Sequence, residues 1–275
     1  MKLTGPIPTR ALKTITILAA AFATISMSHA EPQRDLCADR PGLGTPPCTV
    51  MPGQVMVEAG LADWTLDRQS GSRSDAVQFG QLLTRIGLAD HLEAQIGWNG
   101  YSHLRQRDAL GAVTTAGGAG DVRLALRRNL MNPDGSGTSI AIMPYISLPL
   151  GKSSIGSGDW GTGVIVPISF SLPHGIGLAL TPEVDAAVNQ SGSGRHLAFG
   201  SVIGLSFPLA QNVSLTSEVS WFRDNDPDGR SSPLLSGLSL AWQPSKTVQF
   251  DIGANIGLGG GAPDQQIYIG IARRF

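Results

Sequence analysis

From Val55 onward, apolar residues recur at every second position in one segment after another. Leu92, Ala94, Ile96 and Trp98 alternate with Glu93, Gln95, Gly97 and Asn99, and Val248, Phe250, Ile252 and Ile256 oppose Gln249, Asp251, Gly253 and Asn255. A period of two puts the two sets on opposite faces of a β-strand. The pattern predicts twelve strands, near 55–66, 77–88, 92–104, 120–130, 138–148, 162–171, 175–187, 195–208, 212–223, 234–243, 246–257 and 265–274. Their lengths suit the roughly 9 to 11 residues of a tilted bilayer crossing, and the number is even, as in bacterial barrels. The last segment, with Ile267, Ile269 and Ile271 in alternation before an aromatic Phe275, is expected to close the sheet. The fold class is therefore all-β, a transmembrane antiparallel up-and-down barrel of residues 54–275.

The connections alternate as well. Ala89–His91, Leu172–Gly175, Leu209–Asn212 and Gln243–Lys246 are tight, and Asn132–Gly137 is slightly longer. Between them fall the longer Asp67–Ser74, Arg105–Ala119, Gly151–Gly161, Val188–Gly194, Asp224–Pro233 and Leu258–Asp264. Short periplasmic turns and long external loops produce this order, whereas a soluble sandwich gives no reason for it. Trp98, Trp221 and Trp242 fall at strand ends on the apolar face, where an aromatic girdle would meet the membrane interfaces. One strand fits poorly: in 77–88, Val77, Phe79 and Leu83 share parity with Arg85, while Leu82, Ile86 and Leu88 take the other face. A bulge near Leu82 and Leu83 would repair it.

Residues 1–30 read as an export signal, with Lys2, Arg10 and Lys13 before an apolar run and Ser28-His29-Ala30 at the cleavage site. Without them, 17 basic residues face 21 acidic ones, a net charge of −4, which excludes nucleic acid as a partner by charge. Residues 31–53 form an N-terminal segment placed in the periplasm, too short for an energy-coupling plug domain yet able to form a small constriction. Its Cys37 and Cys48 are the two cysteines of the chain, and in an exported protein a disulfide is favoured.

Three stretches carry a resemblance: LLTRIGLADHLEAQIGWNG at Leu82–Gly100, GDVRLALRRNL at Gly120–Leu130, and SIAIMPYISLPLGKS at Ser139–Ser153. Together with the CADRPGLGTPPC lead-in, they resemble the outer-membrane transporter-like family named after the phenol meta-cleavage degradation pathway. The resemblance implies an outer-membrane channel or transporter-like barrel, with hydrophobic or aromatic small molecules as candidate cargo. Arg273, at the penultimate outward position of the last strand, departs from the apolar residue that would give a stronger signal to the assembly machinery.

The face assignment points Glu58, Arg85, Glu93, Arg123, Arg127, Glu183, Asp185, Glu218, Asp251 and Arg274 inward. So many charges require a hydrated or ion-paired lumen. Two readings stay open: a pore whose charges set selectivity, or a salt-bridge network that plugs the barrel. Asp224, Asp226, Asp228 and Gly229 open like a calcium loop, but Leu235 stands where the bidentate Glu belongs, leaving the three aspartates as weak metal candidates. The Gly156-x-Gly158-x-x-Gly161 run lacks a following helix and reads as a loop. Of the mature histidines, only His196 with Ser193 invites a catalytic reading; no enzyme activity and no cofactor are expected. Expected partners are outer-membrane lipid and lipopolysaccharide, the barrel-assembly machinery through the last strand, and a small-molecule solute. The alternative function is a non-conducting structural or adhesion barrel presenting its loops.

Overall fold

A computed structural model describes residues 33–275; the export signal expected at residues 1–30 lies outside the described residues. The strands are β1 (Val55–Gln69), β2 (Ser72–Phe79), β3 (Gln81–Ala89), β4 (Leu92–Trp98), β5 (Tyr101–Arg107), β6 (Val113–Ala119), β7 (Val122–Met131) and β8 (Thr138–Leu148). They continue as β9 (Gly161–Ile165), β10 (Ile168–Ser171), β11 (Gly177–Val188), β12 (Arg195–Ala210), β13 (Val213–Asp224), β14 (Leu234–Ser245), β15 (Val248–Gly259) and β16 (Gln265–Arg274). Every neighbouring pair is antiparallel, and β16 pairs with β1 from Arg274 opposite Met56 to Gln265 opposite Leu66, so the sheet closes on itself. Closure leaves no unpaired edge, which is the condition for crossing lipid with strands.

Sixteen strand segments make twelve staves, because β2 with β3, β4 with β5, β6 with β7, and β9 with β10 are each one stave interrupted. Thus β1 pairs with β3 over its first half and with β2 over its second. The interruption of the first two of these staves is a glycine in the left-handed region, Gly80 at φ 65° and Gly100 at φ 63°. Each shifts parity by one: Phe79 and Leu82, three positions apart, are both outward and exposed, as are Trp98 and Tyr101. This corrects the bulge expected at Leu82 and Leu83, through which the ladder runs unbroken against Ala59 and Glu58.

Beyond this seam the outer parts of β2 and β5, Ser72–Asp75 and Arg105–Arg107, are polar on both faces. The loops expected at Asp67–Ser74 and Arg105–Ala119 are instead hairpins that extend the wall, turning at Ser70-Gly71 and at 108–112. A strand solvated on both faces carries no apolar alternation, so the periodicity ended where the membrane does. On the outer surface, Ile96, Leu126, Ile203, Leu238, Ile252 and Ile269 are each about 40–54% exposed, the apolar band that meets lipid. Trp221 and Trp242 lie near opposite ends of this band, and Trp98 joins Phe79 and Tyr101 at the seam. The chain is a closed antiparallel β-barrel with an apolar belt on its outer face.

Candidate functional site

Residues 34–53 touch wall strands around the whole circumference, which a segment this short can do only from inside. Arg40 pairs with Asp251 of β15, Leu43 and Gly44 with Glu218 of β13, Thr45 with Thr181 of β11, and Val50 with Glu93 of β4. The segment sits at the short-turn end: Thr49 bonds the carbonyl of Asp90 and donates its N–H to that of Pro133, and Arg274 donates to the carbonyls of Arg34 and Lys246. The sequence reading placed this segment in the periplasm, able to form a small constriction; its contacts put it inside the lumen. A small apolar cluster of Leu36, Val50 and Met56 with Ala38 packs it onto β1.

Its anchor is a buried charge network. Arg85 on β3 is 2.9 Å from Asp39, 3.4 Å from Glu58 and 2.9 Å from Glu93, and Arg127 on β7 is 2.7 Å from Asp39 and 3.1 Å from Glu93. Arg85, Arg127 and Glu93 are wholly buried and Glu58 is 1% exposed. The Cys37–Cys48 disulfide holds the segment's two limbs together, and the cysteine carbonyls accept from both guanidinium groups. Arg85 donates to the carbonyls of both cysteines and Arg127 to that of Cys48. Glu58 accepts the backbone N–H groups of Asp39 and Arg40. Burial would push the Asp39 carboxyl up, but Arg127 and Arg85 override it and hold it below the ordinary carboxylate range. Five ionic groups so paired tolerate a buried site that none would tolerate alone.

The opposite side of the lumen differs. There Glu218 accepts two backbone N–H groups, at 2.7 and 2.9 Å, and Gln249 and Gln243 donate to the carbonyls of Arg40 and Leu36. Between segment and wall lies a cavity of about 390 Å³ lined by Pro41, Thr45, Ser169, Ser206, Thr216 and Glu218, among others. Further along the stave from Arg127, by roughly 13 Å at a strand's rise per residue, Arg123 stacks 3.3 Å from the Tyr145 ring centroid. It also lies 3.5 Å from Glu183, and the Tyr145 hydroxyl bonds Glu183 at 3.0 Å and Asp185. The Arg123 side chain is 40% exposed, in contrast to Arg127.

The ten inward residues predicted from sequence therefore fall into two sets. Glu58, Arg85, Glu93, Arg127, Glu218, Asp251 and Arg274 engage the internal segment; Arg123, Glu183 and Asp185 form the second cluster. Sequence reasoning missed Asp39 and Arg40, which lie outside the periodic region, and Asn129 of β7, which shares the inward parity of Arg127 and whose Nδ2 donates to the Pro47 carbonyl. It also missed Asp121, buried at the seam, which fastens Gly151 and Ser157 and so pins the glycine-rich loop to the wall.

At the other end, His196 opens β12, Asp224 closes β13 and Asp226 follows in the loop, with carboxylate and ring atoms all within 4.8 Å of one another. Asp228 contributes only its backbone N–H, to Asp226, and its carboxylate is not in this group. His196 faces Asn189, Asp224 and Asp226, and no hydrogen bond joins it to Ser193 among the described residues.

Comparison with known proteins places this architecture. A family profile described as "Putative MetA-pathway of phenol degradation" matches residues 38–275. The COG4313 outer membrane channel from Pseudomonas putida F1 superposes at a TM-score of 0.64 with 13% identity, covering 86% of this chain and 100% of that one. The β domain of the Bordetella autotransporter BrkA gives 0.54 with 12% identity, covering 82% and 100%, and the NanC porin 0.50 with 10% identity, covering 80% and 98%. No curated protein sequence matches. Channel, porin and autotransporter domain share this fold, so the fold is shown and the chemistry of passage rests on the lumen.

Proposed function

Because the chain belongs to the family described as a putative MetA-pathway of phenol degradation, we propose that it is a passive outer-membrane channel for small molecules, including aromatic ones. The observation that carries this reading is the asymmetry of the lumen. The internal segment is clamped by five charged groups against β1, β3, β4 and β7 and held to β15 by the single Arg40–Asp251 pair, and it leaves a cavity of about 390 Å³ against β11 and β13. A solute on that side meets serine and threonine hydroxyls and one carboxylate before it reaches Arg123, Tyr145, Glu183 and Asp185. A guanidinium stacked on a phenol ring, beside carboxylates, suits a planar solute with a polar edge. The similar barrel from Pseudomonas putida is described as an outer membrane channel, which supports the reading.

We read the chain as non-catalytic, since His196 is turned to aspartates and not to a nucleophile. Insertion through the assembly machinery would use β16, whose Ile267 and Ile269 face outward, and the external loops would meet lipopolysaccharide. The test is single-channel conductance of the protein, purified from outer membranes, in a planar bilayer with phenolic and benzoate-type solutes. A small steady conductance with concentration-dependent blocking is expected. A folded barrel that stays electrically silent and passes no aromatic solute into liposomes would favour a structural or adhesion barrel instead.

A further inference from the structure

We propose that His196, Asp224 and Asp226 form a site for a divalent transition-metal ion, such as Zn²⁺, at the external mouth of the barrel. The three ligands come from the first turn of β12, the last residue of β13 and the loop after it, so one ion would staple two neighbouring hairpin ends.

The argument turns on the ring nitrogens of His196, whose side chain is only 5% exposed. Asn189 donates its Nδ2–H to the Ser193 carbonyl at 3.0 Å, which turns its Oδ1 toward the ring. That oxygen only accepts, so Nδ1, 3.0 Å away, carries the hydrogen. Nε2 is then left buried with no hydrogen-bond partner, 2.7 Å from Oδ1 of Asp224. A bare nitrogen lone pair and a carboxylate oxygen repel at that distance unless a cation lies between them. Asp226 Oδ2 stands 3.6 Å from Nδ1 of the same ring and accepts the Gln190 N–H, Asp224 Oδ1 accepts the N–H of Asp226, and among the described residues neither aspartate has an arginine or lysine partner. Arg195 is taken by Asp159 and Trp160, and Arg223 by Asn225 and Ser232.

Metal–ligand bonds of about 2.1 Å in a tetrahedron separate the ligands by roughly 3.4 Å, whereas these donor atoms lie 2.7 Å apart for His196 and Asp224 and within 4.8 Å overall, so the Asp226 loop would close by up to about 1.4 Å on binding. The donor set of one imidazole and two carboxylates, with an open position, selects Zn²⁺-type ions. The oxygen cage calcium requires would have needed Asp228 and a further carboxylate.

Calorimetric titration of Zn²⁺ into the detergent-purified protein near neutral pH tests this. One ion per chain is expected, with affinity lowered at least about tenfold by His196→Gln or by Asp226→Asn, and unchanged by Asp228→Asn. Calcium in excess should not compete. Heat-modifiable gel mobility reports whether each variant folds. If His196→Gln does not fold, the visible spectrum of Co²⁺ bound to the wild-type protein, and its change in Asp224→Asn, gives the same answer. No uptake of Zn²⁺ by the wild-type protein would show that a proton, not a metal, sits between His196 and Asp224. Uptake insensitive to both ligand variants, or displaced by calcium, would equally overturn the site.

Discussion

The two sides of the lumen are built by the same alternation of strands but do opposite things to the segment between them. On β1, β3, β4 and β7, four fully or almost fully buried charged side chains converge on Asp39 and on the carbonyls of Cys37 and Cys48. Across the lumen, β11 and β13 offer a hydroxyl and one carboxylate that mostly receive backbone N–H groups, and small side chains leave a cavity. Dense, mutually paired charge makes a clamp, because each group is too costly to leave without its counter-charge. Sparse polar contacts make a sliding surface, because water can replace any one of them at a net cost of about 1 kcal/mol.

The largest test of that contrast removes one member of the clamp. Arg85→Ala leaves Glu58, Glu93 and Asp39 short of a partner, and breaking a buried pair costs about 3–5 kcal/mol. The segment should leave the lumen, giving a several-fold larger single-channel conductance and new protease sensitivity between Arg34 and Gly53. Thr181→Val, on the sparse side, should cost about 1 kcal/mol and leave the conductance near that of the wild type. Equal effects of the two would refute the division into clamp and passage. A smaller effect is expected of Gly87→Ala on β3, where a Cβ would come within 2.0 Å of the Met51 carbonyl oxygen. Backbone on both sides cannot yield as a side chain tip would, so the substitution should cost about 1–3 kcal/mol and loosen the segment. Gly97→Ala, whose nearest neighbour would be 3.7 Å away, is the matched control. Hydrogen exchange over residues 34–53 separates them.

The barrel itself was legible because the lipid-facing half of each stave must be apolar and its partner need not be. Ile96 against Gln95, or Ile252 against Asp251, states the wall, its orientation and the membrane in one pattern. The strands were read across Gly80 and Gly100 as far as Val77 and Leu104, but their outer parts and β6 were not legible, since both faces there are solvated and the period vanishes. The inward residues were identified as a set, but alternation says only which face a residue takes. Whether Arg127 meets solvent or a buried carboxylate depends on Asp39, 88 positions away in sequence and outside the periodic region. Likewise the aspartate loop was visible as a cation candidate, while His196 enters it only through the pairing of β12 with β13.

The smallest expected effect separates two arginines that the sequence treats alike. Arg123 and Arg127 lie on the same face of β7, four residues apart, yet the first is 40% exposed over Tyr145 and the second has no exposed surface. Arg127→Glu would put a third acid against Asp39 and Glu93, so its consequence is loss of the clamp and says little about permeation. Arg123→Glu changes the charge of a partly exposed wall beside Glu183 and Asp185, where solvent reaches part of the side chain. The barrel should therefore fold and conduct, with its reversal potential in a salt gradient moved toward cations. Because the Debye length falls from about 10 Å at 0.1 M to about 3 Å at 1 M salt, the shift should fade as ionic strength rises. A reversal potential unchanged at every salt concentration, with conductance intact, would place the Arg123 cluster off the conducting path and leave the cavity beside Glu218 as the whole of the selectivity surface.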